Sequence, residues 1–224
     1  RTAGRMKGLV SIIDIRAHLW SPRLYRPLLI AFKTQFLDSA RHYSELGEHN
    51  RQFAAFLAYA ALDNIDGYSA EDFRSAIAEL PLEGLQEAAQ ALSQALESAG
   101  EQREDYWKNR IQPFWKNVWP KSRELVSNEI VESLARLSIA ARGEFPSALS
   151  AIIDWLKPIE HPHYIVHMLC ETELSRRFPN DALRLLSSIL NEQPWAPEEL
   201  KQCLVHIREA APTLEDDFHY KRLL

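Results

Sequence analysis

The sequence predicts an all-α fold, and three observations lead to that prediction. Its 224 residues include only seven glycines, are 46% apolar, and are rich in the helix-favouring residues Leu, Ala, Glu, Arg and Gln. Apolar residues recur at the 3.6-residue spacing of a helix face along most of the chain. In the second half, similar apolar segments recur at the spacing of a helical repeat. We therefore expect tandem antiparallel helix pairs in a tetratricopeptide-like or HEAT-like right-handed solenoid of about 10–12 helices.

Charge and composition restrict the classes of function. A net charge of -5 argues against an overall nucleic-acid-binding surface, although it leaves room for a local basic patch. The two cysteines, Cys170 and Cys203, are expected to be buried small hydrophobes of a protein in a reducing compartment. The sequence contains neither a signal peptide nor a run of roughly 20 apolar residues that could span a membrane. We expect a cytoplasmic protein without membrane partners, cut from a longer polypeptide because it begins with Arg1 and ends within a helical pattern at Leu224.

Three regions follow from the order of these patterns. Residues 1–8 are basic and lack a periodic apolar face, which is typical of a linker or a disordered end. A short helix is predicted after Leu9, within an N-terminal helical subregion that covers residues 9–121. A helix-pair repeat subregion then covers residues 122–224. The alternative is that the two helical subregions form one continuous domain.

Local signals mark several helix ends in the first subregion. Ser21 followed by Pro22 predicts the start of a long helix that ends at Gly47. Further along, Ser69 and Asp72 have the spacing of a capping box, in which each side chain accepts a hydrogen bond from the backbone N–H of the other residue.

The stretch from Tyr106 to Arg123 holds three of the six tryptophans and has two different faces. Its apolar face, at helical spacing, consists of Trp107, Ile111, Phe114, Trp115 and Val118. The candidate residues for binding a protein partner or nucleic acid are Lys108, Arg110, Lys116, Trp119, Lys121 and Arg123. Such a helix can be a hydrophobic centre, a partner-binding face, or a base-stacking strip with a phosphate-attracting rim. We favour the hydrophobic centre because aromatic stripes at helical period are usually core.

If the stretch is a hydrophobic centre, its spacing predicts which tryptophans are buried and where the helix is interrupted. Trp107 and Trp115 should be buried, whereas Trp119, next to a proline, should be exposed or partly exposed. Pro113 lacks a backbone donor, so we expect a kink or a break in the middle of the stretch, with Gln112 in extended geometry.

The second subregion contains an internal repeat. The segment FPSALSAIIDWL from Phe145 returns as FPNDALRLLSSIL from Phe178. Leu134, Leu169 and Leu204 mark the preceding helix of each unit at equal steps of 35 residues. Two alternating helices per unit are what tetratricopeptide-like and HEAT-like arrays use. The competing explanation is that Phe-Pro followed by an apolar helix recurs by chance.

The sequence offers little that could carry a reaction. His163, His167 and Glu171 lie on one face of a predicted helix and form a weak candidate for a zinc site, without the H-E-x-x-H order of a metalloprotease. Surface or interface histidines are the favoured interpretation. Phosphate-binding glycine loops and nucleophile elbows are absent. We therefore predict no catalytic residues, no bound metal and no cofactor in this segment.

The motifs FWKNVWPKSREL and IEHPHYIVHMLCE, together with the Phe-Pro repeats, resemble a known family. From about Asp105 to the end, the chain resembles the C-terminal helical domain of unknown function of large bacterial multidomain proteins. These proteins have a sirtuin-like N-terminal domain and are associated with phage defence. The resemblance implies a sensing, scaffold or oligomerisation role, with the effector chemistry in another domain, and it supplies no catalytic residues.

The function predicted from the sequence is that of a non-enzymatic helical repeat segment of a larger bacterial protein. Its partners would be another protein or other domains of the parent polypeptide. The alternative is a nucleic-acid-binding module that uses the basic, tryptophan-rich helix 106–123.

Overall fold

The structure, a computed structural model, describes residues 22–121, 126–190 and 198–224. Every regular element within these ranges is helical and none is a strand, which confirms the all-α class. None of the helices in these ranges is both long and apolar enough to cross a membrane. The linker predicted for residues 1–8 and the short helix predicted after Leu9 lie outside the described residues.

The helices alternate with short 3-10 turns along the chain. The first group comprises α1 (Pro22–Ala31), α2 (Lys33–Asp38), α3 (Asn50–Leu62), α4 (Ala70–Ala78) and α5 (Leu82–Ser98). The tryptophan-rich stretch follows as α6 (Arg103–Tyr106), a π-helical turn (Trp107–Ile111) and α7 (Gln112–Asn117). The last group comprises α8 (Asn128–Ala140), α9 (Phe145–Ile152), α10 (His163–Glu171), α11 (Leu174–Arg177), α12 (Pro179–Ile189), α13 (Glu198–Ala210) and α14 (Phe218–Leu223).

The described residues divide into two compact units. The first takes the residues up to Leu92 and those from Asn109 to Lys121, and the second takes Ser93–Lys108 and the residues from Val126 onward. The sequence suggested a boundary between residues 121 and 122, and these units differ from that boundary in the placement of one segment. Ser93–Lys108 packs with the second half of the chain.

The long helix predicted from Pro22 to Gly47 begins as expected but is not continuous. Phe32 interrupts it with φ -118° and ψ 29°, and a 3-10 turn follows at Tyr43–His49. The prediction of one helix is wrong because tertiary packing overrides the local pattern. After the break, the ring of Phe36 is completely buried and lies edge-on to two other phenylalanines, with centroid distances of 5.5 and 5.6 Å. Gly47 has a positive φ of 62°, which glycine adopts readily, at the point where the helical path breaks.

The capping box predicted at Ser69 is confirmed and carries an additional ion pair. The Asp72 backbone N–H donates to Ser69 Oγ at 3.1 Å, and the Ser69 backbone N–H donates to Asp72 Oδ2 at 2.7 Å. Lys33 Nζ also donates to Asp72 Oδ2, at 2.7 Å, and to the Gly67 carbonyl at 2.7 Å. A single carboxylate thus caps α4 and ties it to α2.

Replacing Asp72 with asparagine should reveal a pH-dependent part of the stability. The hydrogen bond from Lys33 holds the pKa of Asp72 below its usual value, helped by the bonds from Ser69 and opposed by burial. Because the pKa of Asp72 is lower in the folded state, its ionised carboxylate stabilises the folded protein at a pH above the unfolded-state pKa of about 3.9. This contribution is lost as the pH falls through the folded-state pKa. Urea unfolding of wild type and Asp72→Asn should therefore give a constant difference in free energy above about pH 5 that shrinks below about pH 4. Asp66→Asn, at an exposed carboxylate in the preceding turn, is the control, and a difference that stays constant down to pH 3 would contradict the assignment.

In the second unit, the first helix of each pair packs on the first helix of the next pair, and the second helices do the same. Helix α8 contacts α10, and α10 contacts α13, while α9 contacts α12 and α12 contacts α14. The three leucines at equal steps, Leu134, Leu169 and Leu204, are all buried on the first helix of each pair. Of the two aligned Phe-Pro phenylalanines, Phe145 is completely buried and Phe178 is half-buried, with their ring centroids 6.2 Å apart.

Candidate ligand cleft beside the tryptophan helix

The tryptophans of the stretch 106–123 are core residues. Trp107 is completely buried and Trp115 is 8% exposed, as predicted, but Trp119 is only 4% exposed. The expectation of an exposed Trp119 is wrong, because its ring stacks on Trp115 with a centroid distance of 5.0 Å and an interplanar angle of 15°. The backbone N–H of Trp119 donates to the Phe114 carbonyl at 3.1 Å, which extends the helical path past the end of α7. The sequence could have predicted this burial, because residues 115 and 119 have the i, i+4 spacing of one helix face.

Pro113 is accommodated without the extended geometry predicted for Gln112. The helix changes from the π-helical turn to α7 just before the proline, and Pro113 occupies the second position of α7. The residues before Pro113 are themselves helical, so its missing backbone donor falls where the turn changes from π-helical to α-helical geometry and the hydrogen-bond ladder is already irregular. A π-helical turn lies where we expected a kink or a break, and Gln112 is helical, so the prediction of extended geometry there is wrong.

The basic residues of the stretch have different environments. Lys108, in the second unit, forms an ion pair with Glu144 at 3.0 Å, and hydrogen bonding to that carboxylate raises the pKa of Lys108. Arg110, in the first unit, donates from Nη1 to the Leu62 carbonyl at 3.2 Å, at the C-terminal end of α3. Lys116 and Lys121 are exposed, and Arg123 lies outside the described residues.

The burial of the tryptophans argues against base stacking in a nucleic-acid-binding module. With Trp107, Trp115 and Trp119 buried, none of the three presents an exposed ring face on which a base could stack. Contacts from the exposed Lys116 and Lys121 to phosphate groups stay a prediction.

A cleft in the first unit runs beside the polar face of this stretch. Its volume is about 320 Å³, and one wall is formed by the π-helical turn and α7, which place Asn109, Arg110 and Asn117 along it. The opposite wall comes from the end of α3, the following turn and the start of α4, which packs on α7. Sequence reasoning missed both asparagines, although Asn109, Pro113 and Asn117 have the i, i+4, i+8 spacing of one face.

The lining of the cleft is mixed, with polar and apolar residues in similar numbers. Arg110 is the one charged side chain among the described residues that line it. Asp63 lies nearby, where burial raises the pKa of its carboxyl and the charge of Arg110 opposes that shift. Asn117 donates from Nδ2 to the Pro113 carbonyl at 2.9 Å, and the rings of Phe73 and Phe114 supply apolar surface. This chemistry suits a small ligand that carries a negative charge and hydrogen-bonding groups.

The histidines proposed as weak metal ligands lie in the second unit, on α10. His167 contacts Glu171 through Nε2 at 3.4 Å and Glu199 of α13 through Nδ1 at 3.5 Å, and His163 is exposed. The described part of the chain contains no group of three or more His, Cys, Asp or Glu side chains arranged to hold a metal ion. The contacts of His167 instead bridge two neighbouring helices.

Both cysteines and a serine–histidine pair of the second unit are buried. Cys170 and Cys203 are both buried, as predicted, and burial raises the pKa of each thiol, to about 12 for Cys203. Ser175 Oγ and His206 Nδ1 lie 3.0 Å apart, a pairing that sequence reasoning missed. Because Ser175 is completely buried, a substrate could not reach its hydroxyl, and we interpret the pair as a satisfied hydrogen bond between α11 and α13.

Comparison with known proteins finds similarity to a bacterial protein. No protein-family model matches the chain, and no solved structure matches it. The chain is similar to an uncharacterised protein, y4cA, of Sinorhizobium fredii (strain NBRC 101917 / NGR234), with 29% identity over 92 residues. The match covers 40% of this chain and 8% of the relative, so the chain spans less than a tenth of that protein's length. The similarity links the chain to a bacterial protein whose name assigns no activity.

Proposed function

We propose that the chain is a non-enzymatic helical repeat segment of a larger bacterial protein. It would act as a protein-interaction, sensing or oligomerisation scaffold, built as a tetratricopeptide-like or HEAT-like right-handed solenoid. The observation that supports this proposal most strongly is the serial packing of α8 on α10 and α10 on α13, matched by α9 on α12 and α12 on α14. Nearest-neighbour packing of this kind is what a tandem array requires, and such arrays usually bind partners.

Similarity to a longer bacterial protein supports the proposal that the chain is part of a larger polypeptide. The relative from Sinorhizobium fredii is far longer than the region it shares with this chain. The resemblance to the C-terminal domains of sirtuin-like defence proteins, carried by the motifs described above, suggests a role in phage defence in the cytoplasm. Effector chemistry would then belong to another domain of the parent protein.

An exposed aromatic residue on α10 is the anchor we propose for the partner. Tyr164 is 49% exposed, and the guanidinium of Arg136 on α8 lies 5.2 Å from the centroid of its ring. Arg136 is itself held by Glu97, with Nη2 3.0 and 3.1 Å from the two carboxylate oxygens. Tyrosine and arginine are enriched at binding hot spots, and an arginine that is already positioned loses less freedom on binding.

Replacing Tyr164 with alanine should weaken association without unfolding the protein. We expect the chain to self-associate, or to bind the remainder of the polypeptide encoded by the same gene when the two are produced separately. Size-exclusion chromatography with light scattering should show association lost in Tyr164→Ala at an unchanged melting temperature, because the side chain is half-exposed. Phe32→Ala, which truncates a similarly exposed aromatic residue of the first unit, is the control. If wild type associates neither with itself nor with the remaining polypeptide, the proposal of an interaction scaffold is wrong.

A further inference from the structure

We propose that the cleft beside α7 binds a small ligand in which a carboxylate stands next to an amide group. This chemistry is that of an N-acylated amino acid, either free or as the last residue of a peptide. The inference concerns the first unit and is independent of the helix-pair function proposed for the second.

The charge of the cleft favours an anion. Among the described residues that line it, Arg110 supplies the one formal charge, and the nearby Asp63, on which that charge acts, does not line the cleft. A guanidinium has five N–H donors in a planar fork, and the Leu62 carbonyl engages one nitrogen, Nη1. A carboxylate can accept two parallel N–H bonds from such a fork, which gives both strength and orientation.

The hydrogen-bonding groups favour a ligand with an amide. Asn109 and Asn117 lie on the same face of the helical stretch, on either side of Pro113, and both line the cleft. A side-chain amide offers two donors and an acceptor, and Asn117 engages its Nδ2 with the Pro113 carbonyl. The asparagines can therefore pair with both the N–H and the C=O of an amide group.

Size and apolar lining restrict the remainder of the ligand. The volume of about 320 Å³ is at the lower end of the range for small-molecule sites. Phe73 and Phe114 contribute apolar surface, which suits an aliphatic side chain. One or two amino-acid residues match this combination of size, apolar surface and polar groups.

A carboxylate fits the site better than a phosphate group. Ser69, which lines the cleft, begins α4, but its backbone N–H already donates to the Asp72 carboxylate at 2.7 Å. The helix N-terminus that would normally stabilise a phosphate is thus capped by an internal anion. With that N-terminus occupied, Arg110 is the one cationic side chain among the described residues that line the cleft, and its single charge matches a carboxylate better than a phosphate dianion.

The experiment is ligand-observed NMR with the whole 224-residue chain and matched pairs of probes. N-acetyl-leucine should bind, and N-acetyl-leucinamide, which lacks the negative charge, should bind at least about tenfold more weakly. N-acetyl-glycyl-leucine distinguishes the two sources of ligand, because tighter binding of this longer acid indicates a peptide end and equal or weaker binding indicates a free acylated amino acid. Inorganic phosphate and AMP are the competing probes.

The variants test whether binding occurs at this cleft. Asn109→Asp keeps the size of an exposed side chain and places a negative charge beside Arg110, so it should abolish binding of the acid, and Asn109→Ala should weaken it. Lys116→Ala, at an exposed lysine of α7 that does not line the cleft, is the matched control and should bind as wild type does. The proposal would be overturned if the acid and the amide bound equally well, or if phosphate or AMP bound in preference to the acids. It would also be overturned if Asn109→Asp and Lys116→Ala lost equal affinity, or if neither acid bound.

Discussion

Trp107→Ala should destabilise the second unit by about 3–5 kcal/mol, the usual loss for a tryptophan truncated in a core. The side chain is completely buried, and its Nε1 donates to Ser147 Oγ of α9 at 3.4 Å. A loss of this size approaches the whole stability of many domains, so unfolding at room temperature is an expected result. Chemical unfolding followed by circular dichroism measures the change.

The neighbouring Lys108→Ala is the control for Trp107→Ala. Lys108 is exposed, and its ion pair with Glu144 lies at the surface, so its removal should change stability little. A loss below about 1 kcal/mol for Trp107→Ala would show that its indole ring is not a core residue.

Trp115→Ala and Trp119→Ala should each destabilise the first unit by about 3–5 kcal/mol. Both side chains are buried and their rings stack on each other, so the two losses should be similar and the double variant should lose less than their sum. Thermal and urea unfolding of the two single variants and the double variant measure this coupling. Lys116→Ala, on the exposed face of the same helix, is the control.

The opposite result would identify an interface instead of a core. If Trp115→Ala left the melting temperature unchanged while weakening association with a partner, the aromatic stripe would be a binding face, since interface anchors are often tryptophans. Strict additivity in the double variant would contradict the stacked arrangement of Trp115 and Trp119.

The features that sequence reasoning predicted correctly depend on local interactions. Pro22 begins a helix because a fixed φ suits the first helical position, and Ser69 caps α4 because its partner is three residues away. The helix periods and the burial of Trp107 and Trp115 follow from apolar spacing within one stretch. Such features need no knowledge of which helices meet.

The features that sequence reasoning missed depend on contacts between distant segments. The break at Phe32 lets Phe36 pack among residues of a later helix, and the 3.6-residue pattern continues across the break without a local signal. The packing of Ser93–Lys108 with the second half likewise depends on tertiary contacts. The cleft of the first unit exists only because α4 packs on α7, so Asn109 and Asn117 read as ordinary exposed polar residues in the sequence.

The most direct test of tandem helix pairs in the second unit is a methyl NOE experiment on selectively labelled protein. We predict strong NOEs between Ile, Leu and Val methyl groups of α8 and α10 and between those of α10 and α13, with a parallel set linking α9 to α12. A dense set of NOEs between α8 and α13, together with weak ones from α10 to either helix, would contradict serial packing.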